Sequence, residues 1–447
     1  MPTSVFTAKS ESYLEEVAAR VARLTPHAIA ARVIALTNAH ESWRAGECLN
    51  MNPAEGLMSR GSRRLLDSDM ATRVTEGLPG DKIFPHYRQT AFIDEIEATI
   101  VALARSQFGA RFVEWRPTST SMASAAAFFA LLEPGDSMLV QNLEGGGNYV
   151  YQSEGAAGLS KARVVTIPGS SRTFEIDPEQ VATLARQVKP KMIVIGGGKV
   201  LFPYPLRALR EIADSVGAIL LYDAAHLGLL ISAGQFQRPL EEGAHLVTVS
   251  THKIMGGPVG GLVLTNDASI ASRIVRLTFP GLLQTRDQNK YAALALTLAE
   301  LQRFGPELAT QMVRNAQALA AALAAKGFSV IDREGVHTQT HQVILELGER
   351  AATFEWRCQA ANILIPDCAL NGDVAKNRRT GARLGVHEIT RLGMREPQMV
   401  EVAGLVRRAF DDVDGSAAAA IAAEVRALLG RFPGVVYGFD DVEWPSS

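Results

Sequence analysis

Between residues 46 and 286, short β-rich runs alternate with helical patterns: MLVQN, RVVTIPG, KMIVIGG, AILLYDAAH, HLVTVS and GLVLTND. This alternation leaves few architectures open. It predicts an α/β fold, with a largely parallel sheet covered by helices on both faces.

The texture differs on either side. Leu14, Val17, Val21 and Leu24 stand at helical spacing, so residues 1–45 read as a helical arm. From residue 287 a long Ala/Leu-rich helical stretch begins, followed by shorter strands around FSVID and QVILEL and a helical C-terminus. The expected organisation is an arm (1–45), a large domain (46–286) and a smaller α/β domain (287–447), which suits a chain of 447 residues. No internal repeat is present, and the Ala-rich run near residues 417–423 reads as a helix.

Composition removes several function classes. A net charge of −2 with interspersed signs gives no field for nucleic acid or an anionic membrane. No apolar run approaches the ~18 residues of a membrane span, and the N-terminus lacks a signal-peptide pattern. Cys48, Cys358 and Cys368 are odd in number and lack zinc-like spacing, so the expectation is a reduced, cytoplasmic protein without a metal.

Open α/β sheets bind ligands at the carboxyl ends of their strands. AILLYDAAH ends in Asp223 and His226, and HLVTVS runs through Ser250 into Thr251, His252 and Lys253. VEWRP leads into Thr118, Ser119, Thr120 and Ser121 and then an Ala-rich helical run, a strand, turn and helix start where free N–H groups meet an anion. Pyridoxal phosphate needs a lysine for its Schiff base, an acid beside its ring nitrogen and an anion site for its phosphate. The glycines of MGGPVGG, after Lys253, would let the backbone pass close to such a ligand. Taken singly, the features have plainer readings: Lys253 as a solvated loop residue, Asp223 as a helix cap, and the Ser/Thr run as simple capping.

The stretch YDAAHLGLLISAGQFQRPLEEGAHLVTVSTHKIMGGPVGG resembles the central block of serine hydroxymethyltransferases, pyridoxal-phosphate enzymes of fold type I. The resemblance continues through TEGLPG (75–80), PGDSML (134–139), KPKMIVIGG, FPG (279–281) and ARLGVHEITRLGM (382–394). It implies that Lys253 carries the cofactor, Asp223 pairs with the pyridine nitrogen and His226 lies near the ring oxygen. It places Ser119, Thr120 and Ser121 on the phosphate, and Ser250 and His252 beside the cofactor. Arg383 would take the substrate carboxylate by a two-pronged salt bridge, and Glu55 and His341 would also face substrate. Glu76 matches the carboxylate that handles the substrate hydroxyl proton. Gln284 and Thr285 fall where a neighbouring subunit reaches the phosphate, which implies a homodimer with shared sites.

Departures redirect the expected chemistry. Where the family stacks histidine in a D-L-A-H-G-G-H pattern, this chain reads NLEGGGN, with Gly145 and Asn148 at the histidine positions. Ile83 and Phe84 replace a tyrosine pair tied to folate placement, and Gly198 replaces a serine. WRP (115–117), TQTHQV (338–343) and FPGVVYGFDD (432–441) resemble the threonine transaldolases, which need no folate. His341 in TQTHQV has a second reading, as a satisfied polar residue at a strand start. The expectation is folate-independent aldol cleavage or transfer on β-hydroxy-α-amino acids, with an aldehyde as partner. The alternatives are a tetrahydrofolate-dependent serine or 2-methylserine hydroxymethyltransferase and, behind it, an aminotransferase or a non-catalytic cofactor-binding protein.

Overall fold

The computed structural model describes residues 7–168, 172–370, 372–439 and 442. Gly169, which ends RVVTIPG, and Asp440 and Asp441 of the last motif lie outside the described residues. Two helices open the chain, α1 (Ala8–Val21) and α2 (Pro26–Gly46), capped by the hydroxyls of Thr7 and Thr25. Neither buries a residue within the single chain, and Leu14 is exposed. After a short helical turn at Arg60–Leu65 comes the long helix α3 (Arg88–Phe108), closed by Gly109 in the left-handed region.

The main sheet has seven strands: β1 (Phe112–Glu114), β2 (Ser137–Gln141), β3 (Arg163–Ile167), β4 (Met192–Gly196), β5 (Ile219–Asp223), β6 (Leu246–Ser250) and β7 (Gly261–Thr265). Their spatial order is β1-β7-β6-β5-β4-β2-β3. β7 runs antiparallel to both β1 and β6, and every other pairing is parallel. The expected mostly parallel, mixed sheet is present. Its strands read as near-continuous apolar runs because both faces are covered. In β4, Ile193 and Ile195 join the core shared with α3, while Met192 and Val194 join the core under α4 (Thr120–Leu131).

A 38-residue helix, α5 (Gln288–Ala325), runs from the first core into a second, to which its Ala316, Leu319 and Leu323 belong. The second core lies on a four-stranded antiparallel sheet of β8 (Ser329–Val330), β9 (Gln342–Glu346), β10 (Asp367–Cys368) and β11 (Gly381–Gly385), in the order β8-β9-β11-β10. The short helix α6 (His387–Arg391) follows, then α7 (Glu396–Asp411) and α8 (Ala418–Gly430). The segment Leu49–Asn50 pairs in parallel with Ile363–Leu364 as a separate two-stranded sheet, and Leu49 and Ile363 both belong to the second core. Among the described residues, no helix is long and apolar enough to cross a membrane.

Candidate active site

The carboxyl ends of β5 and β6 bring Asp223, His226 and Lys253 together. Asp223 is the last residue of β5, fully buried, and its Oδ1 accepts from the Ala225 amide at 3.0 Å. Lys253 follows β6 by three residues, and its Nζ lies 3.2 Å from His226 Nε2. Burial pushes Lys253 down to about 8, against the pull of the Asp223 charge, while Arg383 pushes the same way as burial. A lysine near 8 keeps a large neutral fraction at physiological pH, the form that attacks an aldehyde. Burial raises Asp223 above the usual carboxylate range, with Lys253 opposing. It holds His226 well below its ordinary value, with Lys253 adding to the effect. Ser250 Oγ and His252 Nδ1 lie 3.0 Å apart, and burial lowers His252 to about 4.

The hydroxyl-rich turn forms the N-terminus of α4. Ser119 caps the helix, its Oγ accepting from the Met122 amide at 3.1 Å, and Ser121 is exposed. Thr120 Oγ1 is buried without a hydrogen-bond partner. The first helical amides have no intrahelical acceptor, so this end is suited to an anion. It abuts the Lys253 loop, because a Cβ on Gly261 would collide with the Ser119 carbonyl. An unpartnered Thr120 hydroxyl, an unpartnered His226 Nδ1, a buried Asp223 and a depressed Lys253 fit pyridoxal phosphate group by group.

Arg383, on β11, faces this cluster from the second sheet, and its Nη1 donates to the Gly198 carbonyl beyond the end of β4. Among the described residues no carboxylate pairs with it, and burial lowers its pKa. His341 is fully buried, and neither ring nitrogen has a hydrogen-bond partner among the described residues. Its ring lies 6.3 Å from that of His226 and nearly parallel to it. Glu55 is at the rim: Arg44 donates to its Oε2 at 2.7 Å and Asn52 to its Oε1 at 3.0 Å. Its neighbour Gly56 packs on Lys253, where any Cβ would collide with the carbonyl oxygens of His252 and Lys253.

Glu76, Gln284 and Thr285 are brought together elsewhere. Arg286 donates to the Thr75 carbonyl at 2.5 Å, which joins the 75–77 and 284–286 segments. Gln284 and Thr285 are exposed. None of the hydrogen bonds of the Lys253 group reaches these three residues in the same chain.

One sequence reading is corrected. The glycines after Lys253 make room for protein and not for a ligand. A Cβ on Gly256, at φ +66°, would collide with Arg391 and Leu57, and one on Gly257 would crowd Thr251 and Thr297. In WRP, Arg116 is a buried structural cation, with Nε donating to Glu114 Oε1 at 2.7 Å and Nη2 to Glu114 Oε2 at 2.5 Å. Two groups escaped the sequence reading. Lys199, pushed down to about 8 by burial, donates to the carbonyls of Leu143 at 3.0 Å and Ala369 at 2.7 Å. His387, four residues after Arg383, donates to the Glu55 carbonyl. Lys199 follows a strand end in IGGGKV, where a polar side chain was there to be noticed.

Comparisons with known proteins agree with this geometry. The serine hydroxymethyltransferase family profile matches residues 28–406. An α-methylserine aldolase of Variovorax paradoxus is 38% identical over 437 residues, covering 96% of this chain and 97% of the relative. A serine hydroxymethyltransferase of Thermococcus gammatolerans is 36% identical over 418 residues, covering 92% of this chain and 96% of its own. The crystal structure of L-threonine transaldolase from Pseudomonas fluorescens, in its internal aldimine state, superposes with a TM-score of 0.85 over 97% of both chains at 23% identity, a likeness of fold. By profile and by full-length identity, the chain is a pyridoxal-phosphate enzyme that belongs to the serine hydroxymethyltransferase family.

Proposed function

We propose that this enzyme breaks and makes the Cα–Cβ bond of β-hydroxy-α-amino acids without folate, acting as an aldolase or transaldolase on donors such as threonine and α-methylserine. The observation that carries the reading is the buried group of Lys253, His226 and Asp223 facing Arg383, a guanidinium with no carboxylate partner among the described residues. The α-methylserine aldolase likeness supports a donor with a quaternary Cα.

In this reading, Arg383 grips the substrate carboxylate through its free N–H groups, while the Gly198 carbonyl fixes the far side of the guanidinium. Lys253 supplies the amine that holds the cofactor and yields to the substrate amine. Thr120, Ser119 and the first amides of α4 hold the phosphate, and Asp223 keeps a proton at the ring nitrogen. Bound pyridoxal phosphate supplies an electron sink for the charge left at Cα. Ser250 and His252 line the cofactor side, and Glu55 and His341 stand toward substrate.

The exposed Gln284 and Thr285 beside Glu76 favour a homodimer in which this patch completes the partner's site, with Glu76 of the partner subunit taking the β-hydroxyl proton. The division at residues 45 and 286 and a cytoplasmic location, both expected from the sequence, are part of the same proposal. A tetrahydrofolate-dependent serine hydroxymethyltransferase is the second reading, favoured by the Thermococcus likeness.

The test compares turnover of threonine, α-methylserine and serine with and without tetrahydrofolate, then threonine with a panel of aldehydes. Cleavage of threonine or α-methylserine without folate is expected. Turnover confined to serine plus tetrahydrofolate would overturn the reading.

A further inference from the structure

Glu76 is held by its backbone and left free at its side chain. The residue is buried, yet among the described residues no hydrogen bond or ion pair holds its carboxylate. The carbonyls around it are all taken. That of Thr75 accepts from Arg286 Nη2 at 2.5 Å and Gln288 Nε2 at 3.3 Å, that of Glu76 from the Ile83 amide at 2.9 Å, and that of Gly77 from Lys82 Nζ and Arg286 Nη2, both at 3.4 Å. The Thr75 and Glu76 carbonyls belong to the two planar peptide units that flank the Glu76 Cα. Fixing both units fixes φ and ψ there, and with them the direction of the Cα–Cβ bond. Gly77, at φ +108°, closes the turn so tightly that a Cβ would collide with the Asp81 carbonyl.

The two cations that grip this backbone meet on one carboxylate. Glu97, on α3, is fully buried; Lys82 Nζ donates to its Oε2, and Arg286 Nη2 lies 3.7 Å from its Oε1. Burial raises the Glu97 pKa, while the charges of Arg286 and Lys82 pull it down. Lys82 also lies 3.4 Å from Asp94, whose Oδ2 accepts from the Gly80 amide at 2.9 Å. Two cations and two carboxylates thus share one cluster, and Arg286, Lys82 and Asp94 each bond to the backbone between residues 75 and 80. Glu97 touches none of that backbone and orients the two cations that do. What the cluster adds beyond attachment is direction for a carboxylate that has no partner of its own.

We infer that Glu97, Lys82 and Arg286 are positioning residues that aim the Glu76 carboxylate at the substrate β-hydroxyl, acting through the Thr75 and Gly77 carbonyls. The inference rests on the role proposed above for Glu76 and names the residues that set it. Arg286 directly follows Gln284 and Thr285, so the same cluster joins both parts of the patch assigned to the dimer.

The test is a double-mutant cycle in the holoenzyme at saturating pyridoxal phosphate, on whichever of threonine and α-methylserine the wild type cleaves. Glu76→Gln should lower kcat about a hundredfold, the scale of one general base. Glu97→Gln keeps the shape and removes the charge. It should lower kcat roughly tenfold with KM little changed, because a catalytic group displaced by about 1 Å loses much of its effect. Together the two should cost no more than Glu76→Gln alone, since a group already absent cannot also be misplaced. Hydrogen–deuterium exchange of the backbone at residues 75–83 should quicken in Glu97→Gln with no substrate present. Lys82→Met runs the same cycle should Glu97→Gln fail to fold. A double variant about tenfold slower again than Glu76→Gln, or a Glu97→Gln enzyme with native kcat, would overturn the inference and leave the role of Glu76 standing. A Glu76→Gln enzyme with native kcat would sink that role and the inference with it, and a wild type that cleaves neither substrate would sink the proposed function and both.

Discussion

Replacing Arg383 by lysine keeps a cation at the centre of the candidate carboxylate site and removes only its fork. In the structure one guanidinium N–H is spent on the Gly198 carbonyl, no carboxylate of the described chain pairs with the group, and the remaining donors are free for a ligand. A lysine can offer one good charged hydrogen bond where the fork offers two. Losing one costs about 1.5–3 kcal/mol, so the dissociation constant for glycine or threonine should rise roughly ten- to 150-fold. A second effect separates this from a general loosening. Lys199 and Lys253, in the same surroundings, are both pushed down to about 8 by burial, and a lysine at 383 meets the same burial. Its charge would drain away as pH rises through about 8, whereas an arginine keeps its charge well beyond that range. The ratio of variant to wild-type dissociation constants should therefore grow about tenfold per unit above that pH. Glycine titrations of the holoenzyme between pH 6.5 and 9.5, followed by cofactor absorbance, measure both effects. Equal affinities would remove Arg383 from the carboxylate site; a constant ratio across pH would refute the burial argument.

Lys253→Ala should abolish the covalent link to pyridoxal phosphate, and borohydride trapping followed by peptide mapping of wild type should mark Lys253; an adduct on Lys199 would reassign the site. Gly56→Ala should cost about 1–3 kcal/mol in urea unfolding and weaken cofactor retention on gel filtration, because its methyl would collide with the backbone carbonyls of His252 and Lys253. Glu388 is raised to about 7, first by burial and then by the nearby Glu55 charge, against Arg44 and the Asn50 bond at 2.6 Å. The native state therefore holds its proton longer than the unfolded chain, so stability present below pH ~4.5 is lost as pH rises through about 7, by about 3 kcal/mol in all. Glu388→Gln should flatten that slope in urea unfolding at pH 5.5 and 8.5; identical slopes would show that Glu388 does not set it.

The main sheet was legible because parallel strands covered on both faces are written in near-continuous apolar residues, as in MIVIG of the Met192–Gly196 strand. The second sheet was less so. Its outer strands, Ser329–Val330 and Asp367–Cys368, are two residues long and carry almost no period. In the site, Asp223 and Lys253 could be found because strand ends are where open sheets bind ligands. The purpose of MGGPVGG could not. Glycine marks a close approach without naming what approaches, and Gly256 and Gly257 yield to Arg391 and Thr297. Lys199 and His387 were hidden because their partners, the carbonyls of Leu143, Ala369 and Glu55, are distant in sequence and belong to residues of any type.

The charges around the site explain why such a costly arrangement persists. Lys253, Lys199 and Arg383 are all lowered by burial, Asp223 is raised by it, and His226, His341 and His387 are held neutral. Each group is thus pushed toward its uncharged form, and Asp223 is the buried carboxylate set against Lys253. A protein seeking only stability would replace such groups with packed hydrocarbon. Buried cations become favourable when a ligand brings the missing anions. In the proposed function, a cofactor phosphate at the amides of α4 and a substrate carboxylate at Arg383 would supply two of them. A nearby anion raises the pKa of a buried cation, so ligand binding would be coupled to the protonation of Lys253, Lys199 and Arg383.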